Sequence, residues 1–173
     1  AFGGTVQAGV RFDRASGGDQ AEVRLNASDI DGVAFAAATG WTSMVPAARG
    51  TVSAMLKGPA SKWADIPRGL AGPVTIAFDA GQIAGFDLAD FMARTRDGGF
   101  VSLAEVAKGS QPMTSLTIAA TLAGGVAKID KAELAMPDRV LALSGLVPYL
   151  DGGLALTGHL FVPKSDAPSG WAS

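Results

Sequence analysis

The residues able to do chemistry in this chain are few, and their spacing argues against most reactions. His159 is the only histidine. A lone imidazole without cysteine or a second histidine makes a poor metal site. Serine catalysis would have to be built around that one residue, and no Gly-x-Ser-x-Gly elbow accompanies it. Two carboxylate pairs, Asp29 with Asp31 and Asp87 with Asp90, have a spacing that suits helix starts, where a carboxylate offsets unpaired backbone N–H groups. Asp29-Ile30-Asp31-Gly32 lacks the further ligands and closing Glu of a calcium loop. The paired glycines Gly17-Gly18, Gly98-Gly99, Gly124-Gly125 and Gly152-Gly153 lack the Lys-Ser/Thr of a phosphate loop and read as turns. With no cysteine, the chain has no disulfide, thiolate ligand or thiol nucleophile. We therefore expect no enzyme activity, no cofactor and no metal.

The elements that would have to position any site are mostly strands. Ala21, Val23, Leu25 and Ala27 alternate with Glu22, Arg24, Asn26 and Ser28, the period of a half-buried strand. The same pattern recurs in Val6, Ala8, Val10 and Phe12, in Val52, Ala54 and Leu56, and in Val74, Ile76 and Phe78. It returns in Leu116, Ile118, Ala120 and Leu122 and in Leu154, Leu156, Leu160 and Val162, with two more candidates over 126–136 and 139–147. Gly124-Gly125, Pro137-Asp138 and Asp151-Gly152-Gly153 supply tight turns, so the late strands should form an antiparallel meander. The apolar phase slips between Ile129 and Ala132, which predicts one extra residue, a bulge, near Lys131.

Short helices are expected over 32–40, 87–93 and 102–108. The first follows Asp29 and Asp31 as cap candidates, and the second sets Leu88, Phe91 and Met92 on one face. The third has Ser102 and Glu105 at capping-box spacing and ends at Gly109. A fourth, over 61–66, should be cut short by Pro67. Net charge is −2 in 173 residues with no basic patch, so nucleic acid is not an expected partner. The longest apolar runs, such as Val33-Ala34-Phe35-Ala36-Ala37-Ala38, are too short to span a bilayer as a helix. Ala1-Phe2-Gly3 opens in mid-pattern, which we read as a segment of something longer. Residues 1–162 should form one β-rich module and 163–173 a loose tail. Trp41, Trp63 and Trp171 suit either core or interface.

Ordered wording adds a resemblance. After the first strands come Arg49-Gly50-Thr51-Val52-Ser53 and then Phe78-Asp79-Ala80-Gly81-Gln82-Ile83-Ala84-Gly85-Phe86-Asp87-Leu88. Further on stand Met113-Thr114-Ser115-Leu116-Thr117-Ile118, Gly125-Val126-Ala127 and Leu143-Ser144-Gly145-Leu146-Val147. The set resembles the C-terminal region of the AsmA-like envelope proteins, over roughly residues 20–162. Pro67 and the Ser-less Arg68-Gly69-Leu70-Ala71-Gly72 depart from the pattern, as does Gly-rich Asp97-Gly98-Gly99.

The resemblance implies a periplasmic segment of a protein anchored in the inner membrane of Gram-negative cells. Such proteins support outer-membrane biogenesis by moving phospholipid along an apolar β groove.

The expected fold is mainly β with short α-helices, an antiparallel curved sheet or groove. Leu116, Ile118, Leu122, Leu154, Leu156 and Leu160 are the candidate groove lining, with phospholipid acyl chains as ligand. Expected partners are the remainder of the parent chain and envelope proteins, with sheet edges able to pair copies into a homo-oligomer. A structural assembly module for outer-membrane proteins, without lipid, is the other reading.

Overall fold

In the computed structural model, residues 3–15, 18–40, 44–60, 66–96, 105–150 and 155–162 are described. One eight-stranded antiparallel sheet dominates. Its strands are β1 (Thr5–Ala15), β2 (Gly18–Asp31), β4 (Arg49–Pro59), β5 (Gly72–Phe78), β8 (Ser115–Ala123), β9 (Val126–Ala135), β10 (Val140–Pro148) and β11 (Ala155–Phe161). They lie side by side in chain order, so the sheet is a meander, and it is not closed into a barrel. The strands read from alternation all form, and β8 and β9 meet at Gly124 and Gly125, whose φ angles of 58° and 81° suit a two-residue hairpin turn.

A second, three-stranded sheet was not evident from alternation. β3 (Val45–Ala47), β6 (Gly81–Ala84) and β7 (Ser110–Met113) pair in the order β3-β6-β7. Each has three or four residues, and Pro46 and Pro112 sit in two of them, so no period-2 pattern could show. These strands come from long connections between β2 and β4 and between β5 and β8. Both connections leave the large sheet at the same end of its strands, while Gly124-Gly125 closes the opposite end.

Helix α1 (Gly32–Thr39) starts at Asp31, whose carboxylate accepts from the Ala34 N–H at 2.9 Å. Asp29 is no cap. It lies in a bulge between Ala27 and Ile30 with φ 53°, a conformation Asp tolerates better than most residues. Helix α3 (Leu88–Thr95) starts at Asp87, which accepts from the Asp90 N–H at 3.0 Å.

Of the helix expected over 102–108, residues 102–104 lie outside the described residues and 105–108 are not helical. Residues 105–108 form a turn and bend, because the Val106 carbonyl accepts from the Asp87 N–H and its side chain is buried in the core. The helix expected over 61–66 lies outside the described residues apart from Ile66, which opens helix α2 (Ile66–Gly69) with Pro67 in its first turn, where a missing N–H costs nothing. The three tryptophans, the turn at 151–153 and the tail over 163–173 lie outside the described residues.

Candidate functional site

Directly paired residues of neighbouring strands share a face of the sheet. The registers therefore assemble one face strand by strand. Its first row runs Ile30, Gly50, Phe78, Leu116, Leu134, Leu141 and Leu160 across seven strands. A second row carries Val6, Ala27, Val52, Ile76, Ile118, Ala132 and Leu143. Two more rows, through Ala8, Leu25, Val74, Ile129 and Leu156 and through Val10, Val23, Leu56, Leu122 and Val147, are also apolar. At roughly 4.8 Å per strand, this floor is about 34 Å wide across the eight strands.

The phase slip in β9 is what keeps the floor continuous. Ile129 pairs with Ala120 and Lys131 with Ala119, leaving Asp130 as the extra residue. Without it, Ile129 and Ala132 could not both face the floor, since they are an odd number of residues apart.

Burial falls off across the floor. The first row is closed over by the small sheet, α1 and α3: Phe78, Leu116, Leu134 and Leu141 join Ile83, Phe86, Leu88, Val106, Met113 and Met136 in one core. Phe86 and Phe91 meet with ring centroids 5.8 Å apart. Further from this lid the floor opens in part, although Ala21 and Gly58, at the far end of β2 and β4, are buried again, with the backbone of Gly69 and Leu70 against Gly58. Leu122, Ile129 and Val147 are half-buried, and at the sheet edges Val10 is 58% and Leu156 38% exposed.

The expected groove residues thus divide. Leu116 is buried at 7% exposure within the core, Ile118 and Leu160 pack against that core, Leu122 is half-buried and Leu156 is exposed. Leu154 lies outside the described residues. The edge residues Val6, Val10 and Phe12 share the same floor and are open to solvent, though sequence alone gave no reason to prefer them to β8 and β11.

The opposite face is polar and charged. Glu22 lies opposite Lys57 and two residues from Arg24. The Arg24 guanidinium donates to its carboxylate at 2.6 Å, and with the Lys57 ammonium at 3.3 Å holds Glu22 below the usual carboxylate range. Asp130 is held low in the same way by Lys128 and by the Thr121 hydroxyl, which donates to it at 2.8 Å. His159 is exposed on this face, opposite Ala142. A shallow trough of about 290 Å³ lies beside Gln7, Asn26 and Ser53.

Among the described residues no polar side chain is buried, and no group of three His, Cys, Asp or Glu converges. The two carboxylate pairs are taken up by local structure: Asp31 and Asp87 cap helices, Asp90 pairs with Arg94, and Asp29 lies beside Arg49 at 3.9 Å. No described helix is long and apolar enough to cross a membrane. No family model, curated protein or solved structure matches the chain.

Proposed function

We infer that this chain is a lipid-handling segment of the AsmA-like kind, working in the periplasm as part of a membrane-anchored envelope protein and performing no bond chemistry. The observation that carries this reading is the apolar floor. It crosses all eight strands, stays partly open away from the lid, and faces away from a surface of charged pairs. Contiguous apolar surface of this kind is uncommon on monomers and marks binding surfaces.

The mechanism is passive. Acyl chains lie on the floor, where each CH₂ removed from water gains about 0.8 kcal/mol, while headgroups stay wet at the rim. The bulge at Asp130 and the small residues Ala120, Ala127 and Gly145 keep the floor smooth and broad. The first row, sealed by the lid, favours a second reading as an assembly module whose apolar face is merely a core.

Native mass spectrometry with lipid extraction, on protein purified from membrane-containing lysate, separates the two. Bound phospholipid that disappears in Val10→Asp and Leu156→Asp, with folding unchanged, is the expected result. Both residues are exposed, so neither change should unfold the sheet. A well-folded protein free of lipid would sink the groove and leave the assembly module.

A further inference from the structure

A separate cleft lies on the outside of the lid. It has a volume of about 500 Å³ and opens between α3, the Gln111-Pro112 end of β7 and the β9–β10 turn. That volume falls within the roughly 300–1,000 Å³ typical of small-molecule sites, which combine an apolar lining with a few converging polar groups. Leu88 and Met136, both buried, and half-buried Met92 form its floor. The two thioethers can adapt to an irregular apolar guest.

The space exists because α3 presents Ala89 and Ala93, one helical turn apart, where larger side chains would fill it. Pro112 and Pro137, which carry no N–H, add apolar wall.

The rim is cationic. Arg96, at the C-terminal end of α3, is exposed and forms no ion pair with another described residue. Its neighbour Arg94, by contrast, is taken up by Asp90 at 3.0 Å and Glu105 at 3.2 Å. Arg139 also lines the cleft, paired with Asp138, so the rim holds two guanidinium groups against one carboxylate. The Gln111 side chain adds an amide.

We propose that this cleft binds a small anionic amphiphile: a short apolar chain resting on Leu88, Met92 and Met136, its carboxylate or phosphate held by Arg96 and Arg139. The Arg96 guanidinium fork matches either anion with two parallel hydrogen bonds, and Arg139, whose Nε and Nη2 already donate to Asp138, adds its remaining Nη1 edge. The site is independent of the groove reading, because the core that both share separates the cleft from the open part of the sheet.

Calorimetric titration of the whole chain with decanoate and decyl phosphate tests it, against inorganic phosphate and decanol. Each anionic amphiphile should show one high-affinity site per chain, distinct from any weaker uptake by the open sheet face, and should outcompete the two comparators there. Arg96→Gln should weaken binding about tenfold, the scale of a lost charge-assisted hydrogen bond.

Arg139→Lys, which keeps the charge at the Asp138 turn but loses the fork, should weaken it less. Ala93→Phe, on an exposed helix position, should abolish the high-affinity site by filling the cleft, whereas Leu156→Asp, outside the cleft, should leave that site unchanged. Equal binding of inorganic phosphate would remove the apolar floor from the account, and equal binding of decanol would remove the arginines. Loss of binding in Leu156→Asp, or full binding in Ala93→Phe, would place the ligand elsewhere and overturn the proposal.

Discussion

Gly50 stands in the first row of the apolar floor, directly opposite Phe78. A Cβ there would come within 2.3 Å of the Ala77 carbonyl oxygen and of the Phe78 ring, and neither can move without disturbing the sheet or the core. Gly50→Ala should therefore destabilise the protein by more than about 2 kcal/mol in urea unfolding, as overpacking at a rigid site does. Gly9, in edge strand β1, has nothing within 4 Å of its Cβ position, and Gly9→Ala should change stability by less than about 0.5 kcal/mol.

Glu22 gives the pH counterpart at the same scale. Its hydrogen bond from Arg24, then that from Lys57, lowers its pKa in the folded protein. The stability it contributes is present above the ordinary carboxylate value near 4.3 and is lost as pH falls through the depressed value. Thermal melts between pH 6 and pH 2 should show a shallower acid decline in Glu22→Gln than in the unmodified protein. Parallel curves would mean that the pair contributes nothing.

Strands were more readable than helices because their evidence is local and repetitive. A run such as Ala21, Val23, Leu25 and Ala27 carries its face in its spacing, and the slip at Ile129 and Ala132 marked the bulge directly. The helix expected over 102–108 had a capping box, but tertiary hydrogen bonds from Asp87 and Gly85 took the backbone of residues 105–109 instead.

The bulge yields a test of register. Deleting Asp130 should leave a regular strand in which Ile129 and Ala132 still face the floor, and the protein should stay folded. Deleting Thr117 from β8 should instead send either Leu116 or the Ile118, Ala120 and Leu122 set to the wet face. Loss of the cooperative melt is expected for the second deletion alone, as read by circular dichroism.

Across the whole molecule, the gradient of burial over one continuous face is the feature that organises both structure and function. It passes from the sealed first row to a floor that is open at the β1 and β11 edges, while Ala21 and Gly58 at the far end of β2 and β4 stay covered. Mutational cost should follow the same gradient. Leu134→Ala, in the sealed row at 3% exposure, should cost about 2–5 kcal/mol, whereas Leu156→Ala should cost less than about 1 kcal/mol. Equal losses at both positions, measured by urea unfolding, would mean that the open end is packed in solution and that no groove exists there. The two edges, β1 and β11, carry exposed Val6, Val10, Phe12, Leu156 and Phe161 beside unpaired backbone groups. Such edges invite further strands.

By itself the sequence determined which segments are strands of the large sheet, which side of each is apolar, where the ladder slips, and that turns at Gly124-Gly125 and Pro137-Asp138 join the late strands into a meander. These are properties of nearest neighbours, and period and turn chemistry record them. It also carried two of the helix caps, since a carboxylate at the right spacing acts on the next turn of its own chain. Only the tertiary structure decided how much of the apolar face is hidden. The lid is made of strands three and four residues long that acquire their geometry from one another, so no periodicity announces them. Leu116 and Leu156 have similar sequence surroundings, yet one lies under that lid and the other at an open edge. Likewise, Arg96 and Arg139 are 43 positions apart in sequence and line one cleft only because α3 packs beside the β9–β10 turn.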